Sequence, residues 1–188
     1  MVAMTYADIL RPAEKKQAAV YDIALILAGS AFIAICAQIA VGWPVPMTLQ
    51  TLAVLMVGAL LGAKKGSLAV VIYALEGMAG LPVFAGCKAG MAVMAGPTGG
   101  YIAGFAAAAY VVGMLCQRGW DRHVGTTIAA MVVGEVILFA FGLFWLGCLF
   151  GFSKSVLAMG FYPFILGDIL KVALAAAVLP MGWKLLRK

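Results

Sequence analysis

Six apolar runs, each bounded by charged residues or by glycine and proline, follow one another along the chain: Tyr21 to Val41, Thr48 to Gly62, Gly66 to Gly80, Gly99 to Gln117, Val124 to Phe150 and Phe161 to Trp183. A helix rises about 1.5 Å per residue and the hydrocarbon slab is about 30 Å thick, so roughly 20 apolar residues cross it once. The pattern therefore predicts an all-α integral membrane protein, a bundle of six transmembrane helices forming one domain over residues 1–188. The second and third runs hold only 15 residues each. That is short for a crossing even without tilt, so the segments beside them are expected to dip inward.

The basic residues test the count, because cytoplasmic loops are enriched in Lys and Arg. The N-terminal segment (1–20) carries Arg11, Lys15 and Lys16, the second loop Lys64 and Lys65, the fourth Arg118 and Arg122, and the C-terminus Lys184, Arg187 and Lys188. The third and fifth loops hold one each, Lys88 and Lys154, and the first holds none. Ten against two, with Lys171 inside a helix, places both termini in the cytoplasm. Five or seven crossings would break the alternation.

Composition agrees. Of the 188 residues 65% are hydrophobic and 11% charged, with a mean hydropathy of +1.10, whereas soluble domains run near 45 to 50% and 25%. The first run is about twice as long as a secretory signal's apolar core and reads as a retained span. The net charge of +6 is spread over membrane loops, which argues against nucleic acid as a partner and for the lipid bilayer. Cys36, Cys87, Cys116 and Cys148 lie far apart, and no metal or redox pair is expected. The third loop, Pro82 to Gly100, is too apolar for a solvated loop and too rich in Gly and Pro for a regular helix. Irregular backbone at membrane depth survives only where protein covers it or where it lines a cavity, so the segment is read as an outer lid or re-entrant loop.

Four charged residues fall inside the expected spans: Glu76, Glu135, Asp168 and Lys171. A mid-helix charge costs roughly 2.5 to 3.5 kcal/mol on insertion scales, so each needs a partner or a purpose. Asp168 and Lys171, three apart, share one face of the last helix with Phe161 and Phe164. The combination of an apolar wall, one anion and one cation suits a ligand pocket; the same pair also fits a structural salt bridge. Glu135 has no local counter-charge, and a structural, bundle-facing role is expected for it. Glu76 is left unassigned. Lys88 fits an anionic ligand or plain solvation, and His123 lacks partners for a metal site. Before the fourth helix, Gly96 to Tyr101 offers a stiff entry at Pro97, a cap at Thr98 and close approach at Gly99 and Gly100. Gly58 to Lys65 lacks the spacing and hydroxyl of a nucleotide-binding loop. Ala24, Ala28 and Ala31 form a smooth stripe on the first helix, fit for packing inside the bundle or against another protein.

Three strings taken together carry a resemblance: Pro44 to Leu52 (PVPMTLQTL), Gly80 to Gly86 (GLPVFAG) running on to Gly96–Tyr101, and Gly167 to Lys171 (GDILK). In order and spacing the chain resembles the BioY family, the biotin-specific substrate-capture (S) components of energy-coupling factor (ECF) transporters. The resemblance implies a six-helix S-component fold in a bacterial cytoplasmic membrane. It also implies capture of biotin from outside, and association with a transmembrane coupling subunit that carries two cytoplasmic ATPases. ATP would be used by those partners only; no cofactor or catalysis is implied for this chain. Asp168 and Lys171 map onto the family's ligand residues, and Ala24 and Ala28, with Ala31 beside them, onto the face that meets the coupling subunit.

For biotin, Asp168 is expected to accept from a ureido N–H and either Lys171 or Lys88 to hold the carboxylate. Gln50, Thr98 and Tyr101 are expected hydrogen-bond partners, Phe84, Phe161 and Phe164 ring walls, and Gly86 a close loop contact. Two rival readings are a capture protein for another small vitamin and a structural or assembly membrane protein in which Asp168 and Lys171 merely pair. An enzyme is disfavoured, since no nucleophile with a base, metal cluster or cofactor motif appears.

Overall fold

The computed structural model describes residues 4–42 and 45–186; Pro44 of the first string and Arg187 and Lys188 of the charge count lie outside them. The described chain is helical apart from loops and one small two-stranded hairpin, Ala40–Val41 with Met47–Thr48, which the apolar pattern did not announce. The helices are α1 (Tyr6–Ile9), α2 (Lys15–Ala37), α3 (Gln50–Met78), α4 (Met91–Ala95), α5 (Gly99–Cys116), α6 (Val124–Phe150), α7 (Lys154–Gly160) and α8 (Ile165–Leu186). Five of them, α2, α3, α5, α6 and α8, are long and apolar enough to cross a membrane.

The second and third expected runs fall within α3, which is not one straight rod. Gly62 has φ 81° and ψ 175°, a conformation that glycine adopts without a steric penalty. There the chain folds back on itself, and a Cβ built on Gly66 would lie 2.7 Å from Gly58 Cα. Gln50 and Tyr73, 23 residues apart, are hydrogen-bonded at 2.7 Å. The two arms thus run side by side.

The bounds of the first and last long helices depart from the sequence expectation. Helix α2 starts at Lys15 instead of Tyr21 and ends at Ala37, since Lys and Gln are good helix formers and the apolar pattern marks only the lipid-immersed part. The last helix starts at Ile165 instead of Phe161, because Gly160 ends α7 and Pro163 cannot supply a backbone N–H within the turn between them.

Without water to drive helices together, association in lipid rests on close packing of small residues. Helix α5 illustrates this, with 67% of its apolar stretch buried against 22% of that of α2. It lies between α3 and α6. A Cβ on Gly113 would sit 2.4 Å from Ala63 N, one on Gly58 2.5 Å from Ala109 O, and one on Gly100 2.7 Å from Phe141 O. Outward faces of α2, α6 and α8 carry Ile23, Leu27, Val136, Phe144, Leu170 and Leu174, all exposed.

One end of the bundle is polar and basic. Asp8 accepts from the Thr5 N–H and O–H at 3.1 and 2.7 Å, and Lys65 reaches Asp8 at 3.1 Å and Asp22 at 3.3 Å. Burial opposes the charge on Asp8, but the Thr5 donors and the Lys65 ammonium outweigh it and hold the carboxyl below its usual range. The Tyr6 hydroxyl donates to the Leu179 carbonyl, joining the N-terminal helix to the last turns of α8. Trp183 Nε1 donates to Asp121 Oδ2 at 2.5 Å, under the Arg122 guanidinium, 4.6 Å from the ring centroid. Burial pushes the Asp121 carboxyl up, and its Oδ1 has no partner among the described residues. Trp183→Phe keeps a ring but removes that donor. It is expected to lower stability by about 1–3 kcal/mol, read as a fall in the melting temperature of the detergent-solubilised protein.

Candidate ligand-binding site

At the other end, where α3, α5 and α8 begin and α6 finishes, side chains enclose a cavity of about 260 Å³. This is just below the roughly 300–1,000 Å³ typical of small-molecule sites. Three surfaces meet there. The hairpin's second strand and the start of α3 contribute Thr48, Gln50 and Thr51, the first turns of α5 contribute Tyr101, Ile102 and Phe105, and α6 with the entry to α8 closes the far side through Leu138, Phe139 and Phe164.

The third loop forms the cover, with Phe84, Ala85, Lys88, Val93, Pro97 and Thr98 all on the cavity wall. Its irregular backbone holds Gly80, Gly86 and Gly90 at positive φ, together with Cys87 at φ 55°, which is uncommon for a residue with a side chain. Gln38, just past α2, secures this turn. Its amide nitrogen donates to the Val83 and Phe84 carbonyls at 3.2 and 3.3 Å, and its oxygen accepts from Cys87 N at 2.9 Å. Phe84 is seated over Gly77, whose absent side chain leaves room for the ring. From α6, Trp145 Nε1 donates to the Gly96 carbonyl at 2.9 Å.

Asp168 and Lys171 lie on the cavity wall, only 7% and 8% exposed. Lys171 Nζ donates to Asp168 Oδ1 at 2.8 Å and to Thr51 Oγ1 at 2.9 Å. The two opposite charges therefore do pair, yet beside open volume rather than in a packed interior. An ammonium has three donors, so one remains beyond these two bonds, and Asp168 keeps its second oxygen. Lys88 is exposed and lines the same cavity.

Most expected contacts are gathered here: Asp168, Lys171, Lys88, Gln50, Thr98, Tyr101, Phe84 and Phe164. Some expectations need correction. Gly86 is exposed with φ 71° and serves the turn, leaving its neighbour Ala85 on the wall. Phe161 falls in the turn before α8 and packs edge-on against Phe139 at 4.9 Å; Phe139 is the ring that reaches the cavity. Thr98 makes no capping bond and faces the cavity instead. The Tyr101 hydroxyl donates to the Gly160 carbonyl at 2.7 Å, so the residue contributes mainly its ring. Glu135, expected to be structural, also lines the cavity. Glu76 accepts from Ser30 Oγ at 2.5 Å, tying α2 to α3.

The missed residues carried a readable signal. Glu135, Leu138 and Phe139 stand at i, i+3 and i+4, and Tyr101 and Phe105 at i and i+4, spacings that align side chains on one helix face. Ala24, Ala28 and Ala31 are all exposed on α2, so they do not pack within this bundle. Among the described residues no three His, Cys, Asp or Glu side chains gather as a metal site.

Comparison with known proteins agrees with this architecture. The model of the BioY family matches residues 12–188. A Rhizobium etli protein named biotin transporter BioY is 39% identical over 140 residues, covering 71% of this chain and 75% of that protein. A Thermotoga maritima protein of the same name is 40% identical over 135 residues, covering 72% and 79%. The fold matches the crystal structure of the S-component for biotin from an ECF-type ABC transporter with a TM-score of 0.78 and 26% identity, over 92% of this chain and 95% of that one. An all-α, multi-pass membrane protein with its cavity at one end of the bundle, the chain belongs to the BioY family.

Proposed function

We propose that this chain captures biotin at the outer face of the bacterial cytoplasmic membrane and releases it inward when driven by an ATP-hydrolysing coupling module. The observation that carries the proposal is a buried, opposite-charged pair on the wall of a covered, largely aromatic and aliphatic cavity. Relatives named biotin transporters and a structural neighbour described as an S-component for biotin support the choice of ligand.

The two arms of α3 count as separate crossings in this reading, which makes six. Lys65, Arg118, Arg122 and Lys184 then sit with the N-terminal segment on the cytoplasmic side, as the enrichment of basic residues there requires. The cavity, at the opposite end, faces outward. A transmembrane coupling subunit bearing two ATPases would dock on the exposed stripe of Ala24, Ala28 and Ala31, where small side chains permit close helix approach. This chain needs no cofactor and makes no covalent bond in the process.

Depth in the cavity supports one placement of the ligand's two ends. Asp168 and Lys171 are deep and suit the ureido ring: Asp168 accepts from an N–H, and the remaining donor of Lys171 meets the carbonyl. Lys88, at the exposed rim, holds the valerate carboxylate, where it need not be fully desolvated. Phe84, Tyr101, Phe139 and Phe164 enclose the apolar rings and chain, with Gln50 and Thr98 as further polar contacts.

Calorimetric titration of the detergent-purified chain with biotin, thiamin and riboflavin tests the assignment. Saturable binding of biotin alone is expected. Binding of another vitamin in its place, or thermal protection by none of the three, would overturn it. Lys88→Ala is expected to weaken biotin by a few-fold to about tenfold, as befits a partly solvated ion pair, and to leave biotin amide unaffected. Undiminished biotin affinity in Lys88→Ala would move the carboxylate to Lys171.

A further inference from the structure

We infer that Glu135 is a third ligand-binding side chain, the acceptor for the second ureido N–H; this deepens the biotin-capture reading and rests on it. Glu135 stands near the middle of α6, 7% exposed, on the wall of the cavity that holds Asp168 and Lys171. Its Oε1 is buried without a hydrogen-bond partner among the described residues. A buried, unpartnered carboxyl oxygen is costly. By contrast, the other membrane-embedded acid outside the pair, Glu76, is met by Ser30. Among the described residues no hydrogen bond or ion pair engages Glu135, and it borders the cavity beside the charged pair.

The chemistry of a cyclic urea supplies what is missing. Its edge presents N–H, C=O and N–H in sequence, so a complementary wall must present acceptor, donor and acceptor. Asp168 and Lys171 provide the first two. With only these, the second N–H would be left to the neutral oxygens of Gln50 and Thr98 on the wall, whereas a carboxylate accepts a charge-assisted and stronger hydrogen bond. Glu135 provides the third group, its unpartnered oxygen accepting from that N–H. Such a site holds a destabilised group in the empty protein in exchange for selectivity when occupied, since a wall built to bond an N–H discriminates against ligands that lack it.

Three variants of the full chain, titrated with biotin and with the two biotins methylated at one ureido nitrogen, test this. Glu135→Leu removes the acceptor at similar volume. It is expected to weaken biotin about 10- to 100-fold while the melting temperature of the empty protein stays level or rises. Glu135→Gln keeps a carbonyl acceptor and should restore affinity to within about threefold of the parent. In Glu135→Ala, the penalty for methylating one particular ureido nitrogen should vanish, while methylation of the other, facing Asp168, remains costly. Parental biotin affinity in Glu135→Leu would overturn the inference. So would a fall in its empty-state melting temperature with equal weakening of all three ligands, the signature of a structural role. Should the parent protein itself not bind biotin, the capture reading falls first and this one with it.

Discussion

Exchanging Lys171 for methionine is expected to lower the stability of the bundle by about 3–5 kcal/mol and to abolish biotin binding. The reason is the strong dependence of Asp168 on its partner: the carboxylate is 7% exposed and accepts from Nζ at 2.8 Å. Removing the ammonium leaves a buried charge uncompensated. The informative experiment is the double variant Asp168→Leu with Lys171→Met. Replacing a whole buried pair by apolar residues is often neutral or stabilising, so the melting temperature should return to that of the parent or exceed it. Biotin binding should stay lost. A double variant that is stable and still binds biotin would show that the pair lies outside the ligand contacts, and the assignment of the ureido ring to Asp168 and Lys171 would fall.

The second large effect concerns the centre of the bundle. Gly113→Ala adds one methyl group where a Cβ would come within 2.4 Å of Ala63 N and 2.5 Å of Gly62 C. Both are backbone atoms beside the turn that reverses α3, so no side chain can rotate out of the way. The helices must separate, at about 1–3 kcal/mol for such overpacking. Because α3 brings Gln50 and Thr51 and α5 brings Tyr101 and Phe105 to the cavity, affinity for biotin should fall together with the melting temperature. Gly125→Ala is the control: a Cβ there meets nothing within 4 Å, and both measurements should stay near those of the parent. Equal behaviour of the two variants would refute the close-packing account of α3 and α5.

Side-chain spacing along single helices made part of the site legible. Asp168 and Lys171 belong to one face of α8 whatever the rest of the fold does, because three residues on a helix are neighbours. The unusual composition of Pro82 to Gly100 likewise marked a cover for a cavity. Phe161 was misassigned for a local reason, since Gly160 and Pro163 interrupt the helix that the apolar run implied. Gln38 could not be singled out at all: a polar residue at the end of α2 has no distinguishing mark until the third loop, some 45 residues on, lies against it.

Hydropathy and the placement of Lys and Arg thus determined by themselves that the chain is helical, belongs in a bilayer and carries its basic loops at one end, because the cost of exposing polar groups to lipid acts on each segment independently. Whether Glu135 faces lipid, a neighbouring helix or the cavity was decided only by tertiary structure, as was the reversal at Gly62 that folds α3 into two arms. Those outcomes depend on how one helix is rotated and seated against another. That is set by backbone contacts of Gly58 with Ala109 and of Gly113 with Ala63, about 50 residues apart in the chain, and no periodicity within a single segment encodes it.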